Sequence, residues 1–218
     1  WTSFDVVNYV RRIVATHEGK KPKNCKVGHT GTLDPQATGL LVLLVGKEYT
    51  RKATSLSKVD KTYEVTMKLG ETSTTGDSEG EKIAVSGTAP TKKAVLEALE
   101  SLQGHIMQVP PKYSAMKING VRAYKLAREG KEVELEARPV TIYSNEFISY
   151  EYPYVKFTSK VSSGTYIRSL VEDLGKLLET GAYMSDLRRT QVGVFSIANS
   201  QLVDTLSVEA LEKALLTE

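Results

Sequence analysis

The spacing of apolar residues along the chain predicts a mixture of helices and strands. Near the N-terminus they recur at helical spacing, and Ser3 stands where an N-cap is expected. A second amphipathic stripe begins near Thr165, and a further helix is predicted from Thr91. From Lys61 onward apolar and polar residues alternate instead, which predicts a half-buried strand with Tyr63 on its apolar face.

The remaining segments add shorter elements without a strict alternation of strand and helix. Residues 70–90 are rich in Gly, Ser, Thr and acidic residues and are predicted to form a loop. Further strands are predicted at 40–45, 113–118, 140–143, 154–161 and 191–197, with a short basic helix before Gly130 and a terminal helix from Ser207. This order favours an α+β fold with a largely antiparallel or mixed sheet. The 218 residues are assigned to one domain, residues 1–218.

Composition is that of an ordinary folded protein. Apolar residues make up 40% of the chain and charged residues 25%, which argues against a disordered or coiled-coil protein. The single cysteine, Cys25, cannot form an internal disulfide, and the scattered histidines lack zinc-site spacing, so we expect a reducing compartment, the cytoplasm. The longest strongly apolar run, 40–45, is far shorter than the ~20 residues that a membrane helix needs, and no signal peptide opens the chain. Because the first residue is Trp1 rather than Met, we expect the native start to lie upstream.

The distribution of charge is more informative than the net charge of +3. One basic run lies between Glu18 and Asp34, and a second basic stretch contains Glu129 as its one acidic residue. The basic residues are Lys20, Lys21, Lys23 and Lys26 in the first, and Lys112, Lys117, Arg122, Lys125, Arg128 and Lys131 in the second. Two such segments are compatible with a surface for a polyanion, but charge alone favours ordinary solvated faces.

An aspartate in a loop rich in glycine and threonine is the first candidate for chemistry. Asp34 precedes Pro35 in the segment 28–35, beside the apolar run 40–45. Such a loop could direct one carboxylate into a cleft. Asp-Pro is also a common turn opening, so a purely structural role for Asp34 stays open at this point. His29 in the same loop has two interpretations as well, loop capping and ligand contact.

One arginine and two tyrosines are the other candidates. Arg168 lies in the first turn of the helix predicted from Thr165, where the helix dipole disfavours a cation. Its side chain could reach a neighbouring cleft, or pair with Glu172 in the weaker orientation for residues four apart. Residues that defy local preference are candidates for functional sites. Tyr63 and Tyr166 could stack on nucleic-acid bases, although core packing is the safer assumption for any single tyrosine.

In combination, these segments resemble the TruB family of pseudouridine synthases. The resemblance begins with GHTGTLDP at 28–35, ATGLL at 37–41 and KTY at 61–63. It continues through LG at 69–70, Thr75, Asp77, Gly80, QVPP at 108–111, YSA at 113–115, Lys117, Gly120, RPV at 138–140, GTYIRSL at 164–170, DLG at 173–175 and LRRT at 187–190. Many linked motifs in one order over essentially the whole chain make the resemblance specific.

The resemblance implies a fold and an activity. The fold is a central mixed, mostly antiparallel sheet flanked by helices and loops, and the activity is isomerisation of the T-loop uridine of tRNA to pseudouridine-55. Asp34 takes the position of the family's catalytic aspartate, and Arg168 that of the arginine paired with it. Tyr63 takes the position of the tyrosine that stacks on the target base.

The resemblance also implies which residues bind the substrate and what the binding partner is. His29 takes the position of the histidine that contacts the flipped T-loop nucleotides, and less defined substrate-binding positions fall on Tyr166, Lys61 and Thr32. The expected partner is the tRNA T-arm stem-loop, with no cofactor, metal, membrane or obligate protein partner, and the protein is predicted to be a monomer. Its segments look more like those of the stand-alone bacterial enzymes than those of the guide-RNA-dependent relatives.

Three departures from the family pattern are present. The Lys-Pro-x-Gly lead-in that usually precedes the segment starting here at Trp1 is absent, and 200–218 leave no room for the RNA-binding PUA domain of many members. Ser73 stands where the family more often has Thr. The first two departures are expected to affect RNA affinity more than chemistry.

The implied reaction has requirements that the named residues could meet. A carboxylate must act in a pocket that excludes water from the detached base, and burial pushes such a group toward protonation unless a cation opposes it. Asp34 and Arg168 fit these two roles. The uridine must also be flipped out of its stack, a cost that stacking on Tyr63 would offset. The sequence leaves open whether Asp34 attacks C1′, attacks C6 or assists glycal formation.

Two other functions are weighed against this one. A non-catalytic RNA-binding or RNA-folding module would keep lysines and tyrosines but would have no reason to keep Asp34 together with Arg168. Because flipping a T-loop could assist tRNA folding, such an activity could also accompany catalysis. A metal-dependent nuclease is a third possibility, which no cluster of carboxylates or histidines in the sequence supports.

Overall fold

Helices and strands follow one another irregularly in the computed structural model, which describes residues 1–118 and 120–214. The α-helices are α1 Ser3–His17, α2 Lys47–Arg51, α3 Ala53–Leu56, α4 Lys92–Ser101, α5 Ala123–Arg128, α6 Ile167–Leu177 and α7 Val208–Ala214. The strands are β1 Val27–His29, β2 Thr38–Gly39, β3 Leu43–Val45, β4 Lys61–Leu69, β5 Glu71–Ser73, β6 Lys82–Ala84, β7 Gly104–Gln108, β8 Lys117–Ile118, β9 Val121–Arg122, β10 Arg138–Glu151, β11 Tyr154–Val161, β12 Ala182–Val192 and β13 Phe195–Ser196. Short 3-10 turns cover Pro22–Asn24, Ile197–Asn199 and Val203–Thr205.

The chain divides into two compact units. The first comprises Trp1–Lys61 and the chain from Arg188 onward, and the second comprises Thr62–Leu187. The chain passes from one unit to the other within β4 and again within β12.

In the first unit, α1 packs its apolar face on β1 and β3. The buried side chains of this core are Val7, Val10, Val14, Ala15, Cys25 and Val27. β1 pairs antiparallel with β3, while the last residues of β12 pair antiparallel with β13 and parallel with β2. The parallel pair places Thr38 and Gly39 opposite Arg188 and Arg189.

The helix α1 begins one residue earlier than the pattern predicts. Thr2, not Ser3, is the N-cap, and it forms a capping box with Asp5. Ser3 is buried in the first turn, where its hydroxyl accepts a hydrogen bond from the backbone N–H of Leu33 at 3.0 Å. The prediction of Ser3 as the cap was therefore wrong, because its hydroxyl serves the loop that contains Leu33.

The second unit is built on antiparallel strands. Its strands follow the order β12, β4, β11, β10, β7, with β10 antiparallel to both β11 and β7. In β4 the burial alternates, and Tyr63 lies on the buried side with 8% of its surface exposed. The amphipathic helix α6 buries Leu170, Val171 and Leu174 completely. An α+β protein with a mixed sheet is thus confirmed, as are α4, α6 and the alternation in β4.

Several predicted boundaries differ from the observed ones. In the predicted strand 40–45, β3 begins only at Leu43, because the backbone of Leu40 is hydrogen-bonded to Arg189 instead. The predicted loop 70–90 contains the hairpin of β5 and β6. Strand structure in 113–118 is confined to β8, while 140–143 is part of the much longer β10. The predicted strand 191–197 is a hairpin of β12 and β13, which turns at Gly193 with a φ of 55°.

Gly39 is the position where the first unit tolerates no side chain. Its φ is 100°, and a Cβ built there would lie 2.2 Å from the carbonyl oxygen of Arg189. We expect Gly39→Ala to lower the free energy of unfolding by more than about 2 kcal/mol, since it combines a left-handed backbone with a backbone clash. Urea unfolding would measure this, with Gly19→Ala as the control: Gly19 also has positive φ, 60°, but has open space around it. Equal losses in both variants would contradict the role of the close approach.

Candidate active site

The loop that carries Asp34 is tied down at several points within the first unit. It runs from β1 to β2, and Asp34 is half-buried in it. The N–H of Ala37 donates to the carbonyl of Asp34 at 2.9 Å, which closes a tight turn. The N–H of Leu33 is held by the hydroxyl of Ser3, so the residue directly before Asp34 is anchored to α1.

A buried arginine spans the same loop. Arg189 is 1% exposed, and its Nε donates to the carbonyl of Leu40 at 2.8 Å while Nη2 donates to the carbonyl of Gly31 at 3.0 Å. Its own carbonyl accepts from the N–H of Leu40 at 2.7 Å. Because Gly31 and Leu40 lie on either side of Asp34 in sequence, the planar guanidinium fixes both ends of the loop.

His29 is held in its neutral form. Burial lowers the pKa of its imidazole below the ordinary value, and the positive charge of Arg189 lowers that pKa further. The backbone N–H of Gly31 donates to its Nδ1 at 3.2 Å. A neutral imidazole that accepts at Nδ1 carries its proton on Nε2, so His29 presents one N–H donor beyond its own loop.

Lys61 is directed at the backbone rather than at solvent. It is 9% exposed, and its ammonium donates to the carbonyls of Ser57 at 3.0 Å and Val59 at 2.6 Å. Burial lowers the pKa of Lys61, and the charge of Arg189 adds to this effect. A direct role of Lys61 in binding substrate stays a prediction. Thr32 is exposed in the loop.

The hydroxyl of Thr30 stands out within this loop. Thr30 is 4% exposed, and its Oγ1 has no hydrogen-bond partner among the residues that the structure describes. Its backbone N–H donates to the carbonyl of Val42 at 3.1 Å. An unsatisfied buried hydroxyl costs about 1–3 kcal/mol, so the loop carries a destabilising group between His29 and Gly31.

In the second unit, Arg168 is buried in the first turn of α6, as the sequence predicts for its position on the helix. The side chain is 7% exposed, and its Nη1 lies 3.7 Å from Oδ2 of Asp77. Nη1 also donates to the carbonyl of Thr75 at 3.1 Å, and Nη2 to the carbonyl of Tyr113 at 3.0 Å. The guanidinium therefore joins two loops to the start of α6, and its pairing with Asp34 stays a prediction.

Asp77 is itself fixed by its own loop. Its Oδ1 accepts from the hydroxyl of Thr75 and from the N–H of Glu79 at 3.0 Å. Glu172, the alternative partner considered for Arg168, lies close to this group, since a Cβ on Gly76 would approach its Oε1 to 2.6 Å. Burial raises the pKa of Glu172. The sequence had given no role to Asp77, which occurs in the family pattern but lies 91 residues before Arg168 in the chain.

Tyr166 is held by a reciprocal contact with a buried glutamine. Its N–H donates to Oε1 of Gln108 at 2.8 Å, and its carbonyl accepts from Nε2 of Gln108 at 3.1 Å. Nearby, the hydroxyl of Ser169 donates to the carbonyl of Val109 at 2.8 Å. These bonds join the end of β7 to the start of α6, so the residues Tyr166 and Arg168 are presented from a fixed support. Sequence reasoning assigned no role to Gln108 or to Arg189.

The described residues contain neither a candidate metal centre nor a candidate membrane helix. Among them, no group of three or more His, Cys, Asp or Glu could hold a metal ion. None of their helices is both long and apolar enough to cross a membrane.

Comparisons with known proteins agree on one family. The model of the N-terminal domain of TruB family pseudouridylate synthases matches residues 18–167, and that of the tRNA pseudouridylate synthase B C-terminal domain matches residues 168–217. The tRNA pseudouridine synthase B of Clostridium kluyveri is 44% identical over 99% of this chain and 71% of its own length. The enzyme of the same name from Chlorobaculum tepidum is 40% identical over 100% of this chain and 90% of its own length.

Solved structures give the same result for the fold. A chain in the crystal structure of a Cbf5-Nop10-Gar1 complex is similar with a TM-score of 0.66 and 30% identity, over 90% of this chain and 46% of that one. A chain of an H/ACA RNP bound to a substrate RNA containing 2′-deoxyuridine has a TM-score of 0.65 and 27% identity, over 94% and 49%. The present chain spans about half the length of these solved chains.

The environment of His29 generates a prediction about pH. Because the pKa of its folded-state imidazole is lowered from 6.5, the unfolded state takes up the proton first as pH falls. The contribution of neutral His29 to stability is thus fully present above about pH 6.5 and is lost as pH falls toward the folded pKa. An NMR titration of the histidine ring protons, with His29→Asn to assign the signal, should give a midpoint below 6.5 for His29. A midpoint at or above 6.5 would contradict the described environment.

The contact of Arg168 with Asp77 generates a second prediction. We expect Asp77→Asn to lower the free energy of unfolding by about 3 kcal/mol, since it leaves a buried guanidinium without its carboxylate. In an Arg168→Met background the same change should cost much less, which a double-mutant cycle in urea would measure. Asp186→Asn, at an exposed position of β12, is the control for loss of one negative charge. Additive effects of the two changes would show that the two side chains do not stabilise each other.

Proposed function

Because the chain belongs to the TruB family of pseudouridylate synthases, we propose that it isomerises the T-loop uridine of tRNA to pseudouridine-55. The family's enzymes are isomerases, and this chain is an enzyme of that class. The position of the uridine, the roles of individual residues and the course of the reaction are parts of the proposal. The observation that carries it is the half-buried Asp34, set in a loop that Ser3 and Arg189 anchor.

Asp34 is the catalytic residue in this proposal. Conversion of uridine to its C-glycoside breaks the bond from N1 to C1′, turns the uracil and joins C5 to C1′, with no net redox change. A carboxylate can act as the nucleophile or stabilise developing positive charge, provided that its position is fixed. The anchors on either side of Asp34 supply such a fixed position. The choice between attack at C1′, attack at C6 and assistance of a glycal route is left open.

Tyr63 and Arg168 have supporting roles in the proposed reaction. Tyr63 lies on the regular strand β4 with most of its ring buried, so its orientation is set before a base arrives. A ring held in this way offsets part of the cost of flipping a nucleotide. Arg168 supplies a positive charge whose guanidinium is oriented by Asp77 and by the carbonyls of Thr75 and Tyr113.

The first unit presents groups that suit an RNA backbone and an acceptor atom. Burial lowers the pKa of His29 and that of Lys61, and the permanent charge of nearby Arg189 lowers both pKa values further. Neutral His29 offers its Nε2–H, which supports the proposed contact with flipped T-loop nucleotides. Exposed Lys20, Lys21, Lys23 and Lys26 add positive charge for phosphates. We place the reaction in the cytoplasm and propose that a monomer acts on the T-arm stem-loop without an obligate protein partner.

The test separates catalysis from RNA binding. We expect Asp34→Asn to lower single-turnover pseudouridine formation in a T-arm RNA more than about a thousandfold, because an amide cannot replace the carboxylate. Binding of the same RNA and the thermal unfolding midpoint should stay close to those of the parent. Pseudouridine would be mapped by mass spectrometry.

The control is Asp204→Asn, which removes one negative charge from an exposed position of the same unit. Turnover of Asp34→Asn within tenfold of the parent would exclude Asp34 as the catalytic group. A parent protein that binds the RNA but forms no pseudouridine would favour the RNA-binding or RNA-folding module instead.

A further inference from the structure

A pocket in the second unit lies beside the contact between Gln108 and Tyr166. Its volume is about 470 Å³, within the range of roughly 300–1,000 Å³ that is usual for sites of small organic groups. It is formed where the end of β7 and the start of β10 meet the loop before α6. Its lining consists of Gln108, Pro110, Met116, Arg138, Pro139, Val140, Ser163, Gly164 and Tyr166.

Strand pairing and hydrogen bonds hold one side of this pocket. Arg138 pairs with Gln108 across the antiparallel strands β10 and β7. Both polar atoms of the Gln108 amide are engaged by the backbone of Tyr166, so the glutamine serves as a support and not as a contact for a ligand. Hydrogen bonds to the Tyr166 backbone therefore fix the side of the pocket where β7 meets the loop before α6.

The charge of the pocket comes from one residue. Arg138 is exposed, and its guanidinium makes no ion pair or hydrogen bond with any residue in the described part of the chain. Among the residues that the structure describes, no Asp or Glu belongs to the lining. A cation that the protein leaves available at an open pocket without a carboxylate favours an anionic group on the ligand.

The rest of the lining favours a ligand that carries a flat, apolar group next to its anionic group. Pro110, Pro139, Met116 and Val140 are apolar residues of the lining, and the aromatic residue Tyr166 also belongs to it. Aromatic side chains stack on the bases of single-stranded RNA, and this stacking tolerates any base. A planar base with a phosphate attached matches both features of the lining.

We propose that this pocket holds one nucleotide of the RNA substrate, with its phosphate on Arg138 and its base against Tyr166 and the proline and methionine side chains. The proposal rests on the proposed function, because it takes RNA as the substrate. A single guanidinium and one stacking wall give a free mononucleotide little affinity. The same nucleotide within a bound RNA stem-loop arrives at high effective concentration, so the polymer is the ligand that this pocket suits.

The first experiment measures RNA affinity in a charge variant. Arg138→Gln should raise the Kd for a prefolded T-arm RNA about tenfold and reduce the slope of log K against log salt by about 0.7–0.9, the value for one lost phosphate contact. The control is Lys156→Gln, which removes one charge from an exposed position on β11 outside the pocket. It should change Kd less than twofold. Equal effects of Arg138→Gln and Lys156→Gln would overturn the proposal.

The second experiment tests whether a base enters the pocket. Single abasic sites are placed in turn along the loop of the RNA, and the binding of each RNA is measured with the parent protein and with Ser163→Phe. Ser163 is a half-buried residue of the lining, and the larger phenylalanine side chain is meant to fill the pocket. In the parent, one abasic position other than the target uridine should weaken binding about tenfold. That same position should have no further effect in Ser163→Phe. An unchanged abasic profile in this variant, at a normal unfolding midpoint, would overturn the proposal.

Two readouts keep the outcomes distinct. Uridine monophosphate at millimolar concentration should not displace the RNA, and displacement that Arg138→Gln abolishes would identify a mononucleotide site instead. Pseudouridine formation by the parent is measured in the same samples. If the parent forms no pseudouridine but Ser163→Phe still removes the effect of one abasic position, only the proposed function is rejected. If the parent forms pseudouridine normally but Ser163→Phe leaves the abasic profile unchanged, only the proposal for the pocket is rejected.

Discussion

The arrangement of the first unit depends on one buried cation, Arg189. A guanidinium without hydrogen bonds is costly to bury, so its donors need partners wherever the fold places them. In this protein the partners are the carbonyls of Gly31 and Leu40, at either end of the segment that holds Asp34. The backbone of Arg189 also approaches Gly39 and bonds to Leu40. Side chain and main chain of one residue thus position the loop, and its charge adds to the effect of burial in lowering the pKa of His29.

The second unit uses the same physical device for a different purpose. Arg168 also has backbone carbonyls as hydrogen-bond partners, those of Thr75 and Tyr113, but it has a carboxylate beside it, Asp77. The carboxylate balances the charge, and the carbonyls fix the plane of the guanidinium. A cation at the start of a helix is unfavourable by itself. The loops that meet at Arg168 offset this cost, since their carbonyls and Asp77 interact with its guanidinium.

The sequence was most informative where regular spacing or motifs determine structure. It predicted the amphipathic helix α6, the alternation of β4 with Tyr63 on the buried side, and the family. It could not show that Arg189 ties a loop whose carbonyls lie 149 and 158 residues earlier in the chain, because long-range hydrogen bonds to carbonyls leave no spacing pattern. Asp77 and Gln108 were missed for the same reason. Ser3 was misplaced because an N-cap and a buried serine in the first turn have the same residue type, and only the contact with Leu33 distinguishes them.

The contact between Gln108 and Tyr166 also restricts the chemistry of its own position. The side chain at position 108 faces both the N–H and the carbonyl of Tyr166, so it must accept one hydrogen bond and donate another. An ionised glutamate of the same length accepts at both oxygens and would place a negative charge against the lone pairs of the Tyr166 carbonyl. A leucine or methionine would leave both backbone groups unsatisfied in a buried setting. Asparagine has the right amide but is one methylene short, so of the common side chains only glutamine combines the reach with the polarity that this place on the strand requires.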